Sequence, residues 1–253
     1  MNTITKLISK IFFIGIIVSV MACSKSPEVV PPVQYGNMYF HIHTNIDTAE
    51  ADSGAVCKDA TGRRFKLNIA QFYICGITVK NTSGLTSNAT GVYLLKTIGT
   101  EEYYVASMPA GNYASVSFSV GIDATANSKT PSIYAAGNVL GTQNPVMWSG
   151  STSLGYYFLN VQGFADTTST NTGTVTSPIS YLIGTNSLLR SAAIPISFSI
   201  TANQNNLVHF IADYGKLLKG INFKTQSTCD LTTNTSVATQ IANNIPNMFR
   251  SEY

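Results

Sequence analysis

The stretch that most constrains this chain is residues 108–120. Met108-Pro109-Ala110-Gly111-Asn112 has the composition of a turn, and strict alternation follows it, with Tyr113, Ser115, Ser117 and Ser119 on one side and Val116, Phe118 and Val120 on the other. A period of two places successive side chains on opposite faces of a strand, so this segment predicts a β-strand with one wet and one buried face. Residues 38–44 (MYFHIHT) repeat the pattern, with Met38, Phe40 and Ile42 on one face and Tyr39, His41 and His43 on the other. Residues 64–69 and 72–80 read as a pair of strands, and residues 92–97 and 102–106 as short ones. An aromatic strand is expected over 156–161 and late strands over 194–201 and 207–212. The stretches 81–91 and 166–177 consist largely of Asn, Ser, Thr and Gly and read as turn or loop.

One segment carries helical spacing instead. Val237, Ile241 and Ile245 recur at i, i+4 and i+8, with Thr235 or Ser236 placed to cap the start, so a helix is expected over 235–245. Residues 213–219 have room for a helical turn or two. About ten short strands separated by turn residues, with no repeat at a fixed period, exclude solenoids and propellers. They predict a single all-β domain over 38–253, a β-sandwich of the immunoglobulin-like, Greek-key type with long loops and a short C-terminal helix. Hydrophobic residues make up 44% of the chain and charged ones only 11%, which is ample for one core.

The first residues read as an address. Lys6 and Lys10 are followed by an apolar run too short to span a bilayer, ending in Val20-Met21-Ala22-Cys23. This pattern predicts a lipoprotein signal peptide over 1–22 with lipidation at Cys23, which places the protein in a bacterial cell envelope, on the outer membrane or cell surface. The Pro- and Ser-containing residues up to 37 suit a flexible tether. Without Lys6 and Lys10 the formal charge falls from +3 to about +1, which argues against a nucleic-acid partner. Three cysteines then remain, Cys57, Cys75 and Cys229. Cys75 lies in an apolar strand, and the loop-like contexts of Cys57 and Cys229 make those two the candidate disulfide.

Candidate chemistry centres on the histidines, of which there are three. His41 and His43 project from the same strand face, so their imidazoles can converge on one metal ion; the alternative is a pair of hydrogen-bonded surface histidines. His209 shares a face with Leu207 and Ile211 and reads as a core histidine before it reads as a ligand. Met38 and Met147 are thioether candidates that also suit packing. No Gly-x-Ser-x-Gly, His-Glu-x-x-His or P-loop pattern occurs, and Asp123, Asp166 and Asp213 sit where turn or cap chemistry is expected. The chain therefore reads as a non-enzyme.

Residues 144–163, NPVMWSGSTSLGYYFLNVQG, hold the only tryptophan, Trp148, after Met147 and before a Gly-Tyr-x-Phe strand. This block resembles the centre of the MbnP-like family, in which the strand ends in Glu-Gly; here it ends in Gln162-Gly163. The turn, strand and Gly121-Ile122-Asp123 unit, the FYICGITVK strand and the C-terminal segment through Phe249 resemble the family as well, so the likeness spans most of the domain. The resemblance implies copper binding at the bacterial envelope, with Met147, Trp148 or His209 as the third donor beside His41 and His43. It also implies a haem-containing partner protein that oxidises a tryptophan to kynurenine. The rival reading is a metal-free surface module that binds a glycan or a protein through exposed aromatics, for which the 13 Tyr and 12 Phe provide material. For the anchor, Cys23→Ser is expected to move the protein from the membrane fraction to the soluble one; continued membrane fractionation would refute lipidation.

Overall fold

Alternation along the sequence is realised as two packed sheets in a computed structural model that describes residues 31–253. The expected signal peptide (1–22), the lipidation site Cys23 and the first part of the tether lie outside the described residues. Residues 35–37, assigned above to the tether, already belong to the first strand. In chain order the strands are β1 (Tyr35–Ile46), β2 (Ala49–Glu50), β3 (Val56–Lys58), β4 (Arg64–Asn81), β5 (Thr86–Ala89), β6 (Leu94–Lys96) and β7 (Glu102–Pro109). Then follow β8 (Gly111–Val120), β9 (Tyr157–Ala165), β10 (Ser177–Gly184), β11 (Arg190–Ile200), β12 (Asn205–Asp213), β13 (Thr228–Cys229) and β14 (Phe249–Ser251). Three short helices accompany them: α1 (Ala124–Asn127), α2 (Tyr214–Leu217) and α3 (Thr235–Asn244). None of the described helices is long and apolar enough to cross a membrane.

The smaller sheet runs β14-β12-β1-β2, with β7 also paired to β1; the larger runs β11-β8-β4-β9-β10-β13, with β3, β5 and β6 also on β4. Phe40 and Phe210 of the small sheet meet Phe118 of the large one, at ring-centroid distances of 6.1 and 5.7 Å, and Phe249 lies 4.9 Å from Phe118. Met38, Phe40 and Ile42 are fully buried, as the period of β1 requires. The fold is an all-β sandwich, and its small sheet contains a parallel pair, β1 with β12.

Several sequence expectations need correction. The expected pair, 64–69 and 72–80, is one 18-residue strand, β4 (Arg64–Asn81). Ala70-Gln71 supplies no turn chemistry, and the strand instead passes from β9 to β8 through register shifts at Leu67/Ile69 and Cys75/Thr78. Strand β10 escaped detection because Pro178 demotes the run that it opens. The Cys57–Cys229 bridge does not form: all three thiols are free and buried. Cys57 lies on β3 against β4, with its Sγ 3.9 Å from the Glu50 carbonyl, whereas Cys229 lies on β13 beyond β10. Burial pushes the Cys75 and Cys229 thiols up to about 11 and about 12, which suits inert core residues.

Helix α3 buries Val237, Ala238, Ile241 and Ala242 as its period predicts. Its cap is Asn234 in the left-handed region (φ 52°), with no side-chain cap bond, so neither Thr235 nor Ser236 plays that part. At the centre of the large sheet, a Cβ on Gly163 would stand 1.9 Å from the Lys66 carbonyl oxygen. Glycine is therefore required where β9 crosses the β4 irregularity. Gly163→Ala is expected to lower stability by about 1–3 kcal/mol, as overpacking in a core does, measured by urea unfolding; an unchanged midpoint would show that the sheet yields there.

Candidate metal centre

The outer face of the small sheet is built by register. Period two puts His41 and His43 on one face of β1, and the parallel pairing sets His41 directly beside His209 of β12. The imidazole rings of His41 and His209 stack at 4.6 Å, and those of His41 and His43 meet edge-on at 4.7 Å. One ring nitrogen from each of the three histidines lies within 4.8 Å of the others. All three side chains are half-buried, between 16% and 31% exposed. His209 is therefore not a core residue. Val208 and Phe210 face inward, and Leu207, the neighbour expected to bury it, is 41% exposed.

Four glutamates surround the rings. Strand β7 pairs with β1 so that Glu102 faces His41, and Glu101 precedes it. Glu101 Oε1 is hydrogen-bonded to His43 Nδ1 at 3.1 Å, while its Oε2 lies 3.3 Å from His41 Nε2. Glu102 lies 3.6 Å from His41 Nδ1, and Glu50, at the end of β2, 3.8 Å from His43 Nδ1. Glu252, one residue beyond β14, comes within 3.5 Å of His43 Nε2 and 3.1 Å of His209 Nδ1. No local sequence signal marks these carboxylates, because strand ends from three distant segments supply them.

The segment bearing Glu101 is clamped from inside. Lys96 is fully buried, and its Nζ donates to Thr44 Oγ1 (2.9 Å) and to the carbonyls of Thr97 (2.6 Å) and Thr100 (2.8 Å). Tyr103 adds its hydroxyl as donor to the Thr100 carbonyl and acceptor from the Thr97 N–H. Burial pulls the Lys96 ammonium down to about 8, against the opposing pull of the Glu101 charge.

Met147 and Trp148, the other named candidates for a third donor, take a different place. Met147 is fully buried in a second apolar cluster with Tyr73, Leu140, Tyr156 and Phe158, against which Trp148 packs. Trp148 stands edge-on to Tyr156 at 4.7 Å, and none of the residues in that cluster comes from β1 or β12. Met38, the remaining thioether candidate, points into the main core. Of the three, His209 is the one that joins His41 and His43.

Fold and site together define a class: a two-sheet all-β protein with a carboxylate-ringed histidine cluster on the outer face of its smaller sheet. The chain belongs to the MbnP family, whose model matches residues 35–235, from the first residue of β1 to the first of α3. Among solved structures it is similar to MbnP from Methylosinus trichosporium, with a TM-score of 0.52 and 14% identity, over 82% of this chain and 88% of that one. At that identity the likeness is one of fold. No curated protein matches the chain.

The Lys96 clamp makes a pH prediction. A lysine whose folded pKa lies below its unfolded value leaves the unfolded state binding more protons between the two, so its contribution to stability rises with pH across that window. Unfolding free energy is expected to climb from pH 8 toward pH 10 in the wild type and to lose that climb in Lys96→Met. Equal slopes in the two proteins would show that Lys96 is not perturbed by burial.

Proposed function

We propose that this chain is a lipid-anchored envelope protein that binds and sequesters copper at His41, His43 and His209. The proposed role is binding rather than catalysis. The observation that carries it is a pair of buried ring nitrogens, His41 Nδ1 and His209 Nδ1, that find no hydrogen-bond partner. A buried polar atom left unpaired costs about 1–3 kcal/mol, so two of them in one cluster are hard to account for in a face that binds nothing. One ring nitrogen of each of the three histidines lies within 4.8 Å of the others, so a single metal ion is within reach of all three rings. Imidazole suits copper, and family membership agrees with that choice as the resemblance described above implies it. Glu101, holding His43 Nδ1, fixes that ring's orientation as carboxylates beside metal-binding histidines commonly do.

The resemblance extends the proposal to a membrane anchor at Cys23 and to a haem-containing partner acting on a tryptophan. Trp148 is the sole tryptophan available to such a partner. Trp148 itself is half-buried over Tyr156 and packs on the second cluster, whose residues are not those of the histidine group.

The test is metal content. The purified chain is expected to retain about one copper ion per molecule after desalting, and His41→Ala with His209→Ala to retain none while keeping the wild-type circular-dichroism spectrum. A wild-type chain that takes up no copper would remove the metal reading and leave the surface binding module in its place.

A further inference from the structure

We infer that Glu252 is a direct ligand in the three-histidine site, which makes it a three-nitrogen, one-oxygen centre for a divalent transition ion rather than a cuprous one. The inference rests on the metal-binding reading above. Glu252 lies beyond the family match, which ends at residue 235, and was not among the residues that the sequence put forward.

The four glutamates around the rings do not make equivalent contacts. Glu101 forms a true hydrogen bond with His43 Nδ1, so that carboxylate acts as an orienting partner. This leaves His43 Nε2 with its lone pair outward, and the group it faces is Glu252 Oε1 at 3.5 Å. Glu252 Oε2 lies 3.1 Å from His209 Nδ1, yet the two buried atoms are not aligned as a hydrogen bond, and both remain without a partner. Close approach without a hydrogen bond leaves both atoms free to ligate one ion. For zinc, the bonds to imidazole nitrogen and carboxylate oxygen are about 2.0–2.2 Å, so adjacent ligands at square to tetrahedral angles stand roughly 3.0–3.5 Å apart. Both Glu252 contacts match such edges. Glu50 and Glu102 do not: they stand 3.8 and 3.6 Å from their histidines and are about 60% exposed.

The donor set then selects the ion. Cuprous copper favours soft thiolate and thioether ligands, whereas mixed imidazole and carboxylate donors suit Cu(II) and Zn(II). The methionines Met38 and Met147 are packed in the two apolar clusters, and the buried thiols lie in the core or the strands beneath it. Hard oxygen donors, by contrast, converge on the imidazoles from the start of β7 and the residue before it, from β2 and from the segment after β14.

The test compares oxidation states. The purified chain and Glu252→Gln are titrated with Cu(II) in air and with Cu(I) under anaerobic conditions, each against a competing chelator. Removal of the charge is expected to weaken Cu(II) at least tenfold, to change Cu(I) less than threefold, and to alter the Cu(II) electron paramagnetic resonance spectrum. The metal-free melting temperature should stay at the wild-type value. Equal weakening of both ions would assign Glu252 a merely structural part and overturn the inference, as would an unchanged Cu(II) affinity and spectrum. If the wild type takes up copper and Glu252→Gln matches it, this inference alone fails. If the wild type takes up neither ion, the three-histidine reading fails with it.

Discussion

The parallel pairing of β1 with β12 is the contact on which the rest depends. Nine consecutive residue pairs, Asn37 with Asn205 through Asn45 with Asp213, run in unbroken register. Because strand side chains alternate, one register decides both faces at once. On the inner face it aligns Phe40 beside Val208 and Ile42 beside Phe210, and the Phe40 and Phe210 rings meet at 5.1 Å. On the outer face the same register aligns His41 with His209. A slip of β12 by one residue would turn Phe210 to solvent and His209 into the core. The apolar packing of the sandwich therefore fixes the geometry of the histidine cluster, without the cluster needing to hold itself together.

What the sequence showed and what it hid follow from the range of the interactions involved. The inward face of β1 was legible because Met38, Phe40 and Ile42 alternate with polar or amphipathic residues within one strand. β12 was not legible in the same way. In Leu207-Val208-His209-Phe210-Ile211 both neighbouring registers are apolar, so alternation cannot say which face is buried. Tertiary pairing settles it by placing Val208 and Phe210 inward. The all-β class and α3 rested on local pattern and are found in the structure, whereas the turn expected over 108–112 tightens to Ala110 alone between β7 and β8. The carboxylates could not be read, since Glu50, Glu101 and Glu252 share neither strand nor spacing. The Cys57–Cys229 pairing failed for a related reason: loop-like text says nothing about which edge of a nine-stranded sheet a residue will join.

The tryptophan block, which carries the family resemblance, has a structural use that stands without any metal. It closes the long connection between β8 and β9 over the outer side of the large sheet as a satellite core. Tyr156 donates its hydroxyl to the Leu140 carbonyl and Tyr73 to that of Val139, pinning a segment with little regular structure. Asn127 accepts from the Tyr156 N–H, and a Cβ on Gly155 would stand 2.3 Å from its Oδ1, so the glycine before the aromatic strand is needed for close approach. Asp123 ends the Gly-Ile-Asp unit as the cap of α1, accepting from the N–H groups of Thr125 and Ala126. Burial raises its carboxyl, and bonds from Tyr93 and from these amides outweigh that effect and hold it below its ordinary value. Two of the most recognisable blocks thus meet in one packing unit.

The division of labour between the two acidic residue types shows where the chain concentrates negative charge. Asp59, Asp123, Asp166, Asp213 and Asp230 each accept a backbone N–H from the residue two positions on, the local turn or cap chemistry that a short side chain favours. Glutamate, one methylene longer, gains less from such closure and reaches farther across a surface. Among the described residues the glutamates are Glu50, Glu101, Glu102 and Glu252, and every one lies within 4 Å of a histidine ring nitrogen. In a chain with 11% charged residues, four carboxylates at one face concentrate a negative potential that no lysine or arginine among the described residues neutralises by direct pairing. On the proposed reading such a field would draw cations toward the three imidazoles before any bond is made, and its reach would shorten as added salt reduces the Debye length. In the proposed metal-binding role the histidines would supply the selectivity of a nitrogen site, and the glutamates the attraction that brings an ion to it.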